Sequence, residues 1–158
     1  MYQKFKKLLS YLPLISILAA IDQGSKTYLI TYLKTKLGMS VKLSSFFSLV
    51  YAWNYGISFG LFGDYYQYSN YAFLAINCII TGYLLSQIVT ATSKLQALGF
   101  AIIVGGAIGN IIDRIFRGAV FDFLYFHYNE YSFPAFNLAD SFINVGVFLV
   151  IISFFKRR

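Results

Sequence analysis

Charge is what this sequence has least of. Asp, Glu, Lys and Arg supply 12% of its 158 residues, where water-soluble domains carry about 25%. A chain this short has too little interior to hide a 58% hydrophobic content, which excludes an ordinary soluble globular fold. The 20% aromatic share excludes disorder, since disordered chains are poor in large apolar side chains. Cysteine occurs once, at Cys78, which rules out an internal disulfide and a thiolate metal site; amid apolar neighbours it reads as a packing residue buried in its helix. Histidine also occurs once, at His127, so no Ser-His-Asp, Cys-His or zinc constellation is supported, and it reads as a loop residue. The net charge of +7 sits largely at the chain ends and in one short gap between apolar runs. No basic stripe interleaved with stacking aromatics exists, so nucleic acid is excluded as a partner, and anionic lipid headgroups account better for these charges. An integral membrane protein remains.

Long uncharged runs define the passes. Residues 65–93 and 95–112 contain no charged side chain, and 141–155 is uncharged up to Lys156. The first apolar run, 8–21, has 14 residues, which at ~1.5 Å each covers roughly 21 Å, short of the ~30 Å hydrocarbon core. To span, it must continue through Asp22-Gln23-Gly24-Ser25-Lys26, and Asp22 and Lys26 then form an i,i+4 pair with the acid first, the favourable order. A rival pattern is a signal peptide with Lys4 to Lys7 as its basic head; an uncleaved first helix fits the three spans that follow better. The expected fold class is thus an all-α membrane protein with four transmembrane helices, at about 8–29, 70–91, 95–113 and 137–155, and small extracytoplasmic β elements and loop. Residues 1–158 form one domain. Segments 31–69 and 114–136 lie outside, with strand-like patterns at 41–43 and 46–53, glycines at Gly56, Gly60 and Gly63, and a turn at His127-Tyr128-Asn129-Glu130.

With both termini and the 92–94 gap on the cytoplasmic side, Lys and Arg divide seven inside against six outside, a small bias under the positive-inside rule. The stronger argument is that all six acids, Asp22, Asp64, Asp113, Asp122, Glu130 and Asp140, then lie outside or at outer helix ends.

Polar residues near the membrane fall in clusters at one depth: 22–26, 54–60, 105–114 and 137–141, with Asp122. Ionisable groups there usually face a cavity or the bundle interior. Ala101, Gly105, Gly109 and Asp113 make an i,i+4 ridge, which a close helix-packing face explains; Asn110 beside it is not so explained. Asn137, Asp140, Ser141 and Asn144 make a polar stripe, either an N-cap or a site, with Asn144 beyond the reach of a cap. Asp122, set among aromatics, is expected to have a raised pKa, or to point at water or pair with Arg114 or Arg117. Asp122 and Asp140 meet only if the loop folds back. If they do, one stays protonated while the other ionises, the arrangement by which aspartic proteases activate water.

In combination, Asp22-Gln23-Gly24-Ser25-Lys26, Asn54-Tyr55-Gly56, Gly109-Asn110-Ile111-Ile112-Asp113-Arg114, Phe121-Asp122-Phe123 and Phe136-Asn137-Leu138-Ala139-Asp140-Ser141 resemble the lipoprotein signal peptidases of bacteria (signal peptidase II, prolipoprotein signal peptidases) over the whole chain. The resemblance implies a membrane aspartic endopeptidase with Asp122 and Asp140 as the catalytic pair. It further implies that Asn54, Gly56, Asn110, Arg114, Asn137 and Ala139 shape the site and hold the substrate, while Asp22, Lys26 and Asp113 are architectural. The implied substrates are prolipoproteins carrying diacylglycerol on the cysteine that follows the scissile bond. Neither metal nor organic cofactor is implied. The implied setting is a monomer among the phospholipids of the bacterial inner membrane, with its site on the extracytoplasmic side. Phe121 stands where a small aliphatic is frequent, which is expected to narrow the cleft. The alternatives from other classes are an ion path lined by Asp22, Asp113 and Asp140, which would favour charges nearer the span centres, and a lipid-binding accessory protein, which needs no carboxylate pair.

Overall fold

The structure, a computed structural model, describes residues 2–56 and 66–156. Among these, four helices, α1 (Tyr2–Lys34), α2 (Tyr66–Thr90), α3 (Lys94–Arg117) and α4 (Leu138–Phe155), and four strands, β1 (Ser40–Lys42), β2 (Phe47–Asn54), β3 (Val120–Tyr128) and β4 (Tyr131–Ser132), follow one another along the chain. Each helix contains a stretch long and apolar enough to cross a membrane. The protein is therefore a multi-pass membrane protein with a small antiparallel sheet. The positions expected for Gly60 and Gly63 lie outside the described residues.

The bundle is built around α3, which packs on the other three helices. Glycines permit the close approaches. An added Cβ on Gly105 would meet Leu18 Cβ of α1 at 2.9 Å, and one on Gly99 would meet the Gly146 carbonyl oxygen of α4 at 2.8 Å. The small-residue ridge of α3 is thus a packing face, as small residues are at membrane helix contacts. Burial runs opposite to that of a soluble protein. Asp22, Lys26, Asp113 and Asn137 are fully buried, while Ile79, Tyr83, Phe148 and Phe155 are well exposed on the outer helix faces. Cys78, expected inside, is exposed on α2; its apolar surroundings in sequence belong to a helix whose outward face is itself apolar.

Ser93 caps α3 through its hydroxyl, which accepts from the Gln96 N–H, and Gly118 ends α3 in the left-handed region at φ 76°, the residue type that pays no Cβ penalty there. The chain then enters β3. The sheet runs in the order β1-β2-β3-β4. The register of β2 on β3 shifts between Leu49 and Ala52 and then places Ala52 opposite Asp122 and Trp53 opposite Phe121. Because side chains alternate along a strand, Phe121 and Phe123 take one face with Leu33 of α1 in a buried cluster, and Asp122 takes the other. Phe121 therefore fills the seam between sheet and α1 rather than narrowing a cleft beside Asp122. His127 lies within β3, not a loop, and shares a 2.9 Å hydrogen bond with the Ser48 hydroxyl. The expected turn shortens to Asn129-Glu130, with Asn129 at φ 50°, a conformation that asparagine tolerates.

Candidate active site

The loop folds back through backbone hydrogen bonds. Phe136 pairs with Leu124, its N–H donating to the Leu124 carbonyl at 3.0 Å and its carbonyl accepting from Leu124 N–H at 2.8 Å. This brings Asn137, the next residue, against Asp122. Asn137 is also the N-cap of α4. Its side-chain oxygen accepts from Asp140 N–H at 3.0 Å, and its own N–H donates to Asp140 Oδ2 at 3.2 Å, a reciprocal capping box. Its amide nitrogen donates to Asp122 Oδ1 at 2.6 Å. One asparagine therefore joins the two acids that lie 18 positions apart.

The second oxygen of each acid has its own asparagine. Asn54 donates to Asp122 Oδ2 at 3.0 Å, and Asn110 donates to Asp140 Oδ1 at 2.8 Å. Asn54 is fixed in turn by accepting from Gly56 N–H at 2.8 Å. Gly56 sits at φ 95°, and any Cβ there would collide with the Phe73 ring. Asp122 is 3% exposed. Burial, then the nearby charge of Asp140, push its pKa up from 3.8 to about 6, against hydrogen bonds from Asn54 and Asn137 and the charge of Lys26.

Beneath this pair lies a buried ionic cluster. Lys26 has three ammonium hydrogens and three acceptors: Asp22 Oδ2 at 2.8 Å, Asp113 Oδ2 at 2.9 Å and Asn110 Oδ1 at 3.0 Å. The two acids then reach the backbone just ahead of each candidate catalytic residue. Asp113 Oδ2 accepts from Phe121 N–H at 3.1 Å, and Asp22 Oδ1 accepts from Ala139 N–H at 2.9 Å. Arg117 clasps the cluster from outside, donating to Asp113, to Gln23 Oε1 at 2.7 Å and to Thr27 Oγ1 at 3.2 Å.

The expected site residues thus fall into two groups. Asn54, Asn110, Asn137, Asp122 and Asp140 form one hydrogen-bonded constellation, with Gly56 behind Asn54. Ala139 is different from expectation, since its side chain is fully buried and its carbonyl lies against Gly106; it seats the start of α4. Arg114 is paired with neither Asp122 nor Asp113. It donates to Asn70 Oδ1 at 3.2 Å, lies over the Phe73 ring, and keeps its Nε buried with no partner among the described residues. Ser141 and Asn144 spend their side chains on their own helix, on the carbonyls of Asn137 and Asp140, so the polar stripe ends at Asp140. Asn70 escaped the sequence argument, and Gln23 entered it only within the 22–26 motif, with no role of its own. Both are signalled by an amide side chain in a predicted span, which is costly unless bonded.

Comparison with known proteins gives the family. Residues 14–156 match the sequence profile described as Signal peptidase (SPase) II. A lipoprotein signal peptidase of Rickettsia conorii is 50% identical over 145 residues, covering 92% of this chain and 72% of that protein. The Rickettsia akari protein of the same name is 51% identical over 138 residues, 87% of this chain and 70% of its own. Two solved bacterial membrane enzyme structures share the fold. One has a TM-score of 0.79 at 27% identity, covering 94% of each chain, and the other 0.75 at 28%, covering 93% of this chain and 88% of its own. A four-helix membrane bundle and these relatives define the class, the membrane-embedded aspartic-type endopeptidases. Within that class, the chain belongs to the signal peptidase II family.

Proposed function

We propose that this enzyme removes the signal peptide from prolipoproteins by cutting before a diacylglyceryl-modified cysteine, with Asp122 and Asp140 as a dyad that activates water. One observation carries the reading: Asn137 hydrogen-bonds both acids while each keeps a separate asparagine on its other oxygen. Asp122, with its pKa near 6, holds a proton to higher pH than a free carboxylate and is assigned the acid role, protonating the scissile carbonyl oxygen as it develops charge. Asp140 takes the proton of the attacking water. The Arg114 Nε, buried without an acceptor among the described residues, is the donor assigned to a substrate carbonyl. Asn54, Asn110 and Asn137 orient the carboxylates, Gly56 fixes Asn54, and Ala139 seats Asp140. Asp22, Lys26 and Asp113 hold the frame, and residues 1–158 act as one domain.

Substrate lipid chains remain in the bilayer while the peptide crosses the outer interface, which pre-positions the scissile bond. Phe126, Tyr128, Tyr131 and Phe133 stand exposed on the β3–β4 hairpin, side chains suited to the headgroup layer. The reading places the enzyme in the bacterial inner membrane, among phospholipids, with the site extracytoplasmic and both termini cytoplasmic. A single chain supplies both acids, so a monomer is the working unit.

The test is cleavage in liposomes of a diacylglyceryl-modified prolipoprotein beside its unlipidated twin. Wild type is expected to cut only the lipidated form, and Asp122→Asn and Asp140→Asn neither. Full activity in either folded variant overturns the dyad; equal cleavage of both twins overturns the substrate class.

A further inference from the structure

At the end of the bundle opposite the aspartates, Lys7, Ser10 and Tyr11 of α1 face Thr92 and Ser93 of the α2–α3 turn and Lys94 at the start of α3 across a pocket of about 360 Å³. The Lys7 ammonium donates to the carbonyls of Ala91 at 2.6 Å and Val89 at 3.4 Å, which fixes it at the C-terminal end of α2 and leaves one hydrogen unspent. Lys94 is exposed, and among the described residues no side chain accepts from it. No acid relieves the repulsion between them, since the chain has none in 1–21 or 65–112, the stretches that build both walls. Hydroxyls from Ser10, Tyr11 and Thr92 add polar lining, although Ser10 and Thr92 already donate to Lys7 O and Gln96 Oε1.

We infer that this pocket binds the phosphate of an anionic phospholipid headgroup. Its depth supports this, because α2 ends at Thr90 and α3 begins at Lys94, which sets the pocket where spans give way to headgroups. Apolar surface supports a lipid over a free ion: Leu9 and Leu12, flanking Ser10 and Tyr11 on α1, are 44% and 40% exposed and offer acyl chains a wall. Tyr11 bridges the two regions, its ring packed against the Ile15, Ile88 and Val104 cluster and its polar tip at the interface, as tyrosine favours. The site is independent of the aspartates and would stand or fall without them.

Retention of phosphatidylglycerol against phosphatidylcholine, measured by native mass spectrometry of the full chain from mixed micelles, tests the assignment. Wild type is expected to keep one phosphatidylglycerol preferentially. Lys94→Gln is expected to weaken that retention about fivefold, the share of one lysine at headgroup depth, whereas Lys42→Gln on β1 leaves it unchanged. Lys7→Gln, checked for retained helicity by circular dichroism, is expected to act like Lys94→Gln. Equal retention of the two lipids, or equal effects of Lys94→Gln and Lys42→Gln, overturns the site. Displacement of the lipid by millimolar inorganic phosphate overturns the lipid as occupant; persistence of the lipid supports it.

Discussion

Asp122 is held by two amide donors and surrounded by protein, and its burial has two measurable consequences. The first is in the pH profile. The proposed dyad works with one proton on the pair, so kcat/KM is expected to follow a broad bell whose upper limb falls near pH 6, reported as an apparent value of the coupled pair. Initial rates with a fixed lipidated substrate from pH 4 to 9 check it. The second is in stability. A carboxyl whose folded pKa lies above its unfolded value favours the fold when protonated; that contribution is fully present below about pH 4 and is lost as pH rises through about 6. The stability of Asp122→Asn relative to wild type is therefore expected to increase between pH 4 and pH 8, by about 1–3 kcal/mol in all, read as a widening gap in Tm. Activity should fall at least ~10³-fold in the same variant, the scale of losing a general acid.

Between elements, the Asp22–Lys26–Asp113 cluster is the tie that sets α1 and α3 under the starts of β3 and α4. Removing its cation would leave two buried carboxylates facing each other. Lys26→Met is expected to cost about 3–5 kcal/mol, seen as a fall in Tm in detergent, with activity lost through displacement of Asp122 and Asp140 rather than loss of a reacting group. Gly106 makes a gentler test. Its added Cβ would strike the Ala139 carbonyl and lie 3.0 Å from Ile143, so Gly106→Ala is expected to push the first turn of α4 away from α3. A drop in kcat of ten-fold or more with a smaller change in Tm is the expected outcome, because misplacement by about 1 Å can cost 10²-fold in rate.

For the whole molecule, the four spans were legible in advance because bilayer thickness imposes a length on uncharged runs, and 65–93 and 95–112 meet it openly. The pairing of Asp22 with Lys26 was legible from spacing alone. The exposure of Cys78 was not, since in a bundle with apolar outer faces hydropathy does not tell inside from outside. Nor was the role of Phe136, whose bridge to Leu124 closes the site. A single β-bridge leaves no periodic trace, and only the motif combination around Asp122 and Asp140 hinted that they meet. The location of Asn70 beneath Arg114 likewise depends on how α2 packs on α3, which no single helix records.

Asp113 holds the strand of Asp122 by the N–H of Phe121, not by its side chain. Every residue but proline owns that N–H. The placement of the carboxylate is thus uncoupled from the identity of its neighbour, and position 121 is free to change with whatever packs across it. Here that partner is Trp53 with Tyr51, and a phenylalanine fits. In a relative whose sheet carries smaller partners, a valine would keep the same aspartate in the same place. Substitution at position 121 is then expected to follow the residues at 51 and 53, with the Asp113 bond to its N–H kept.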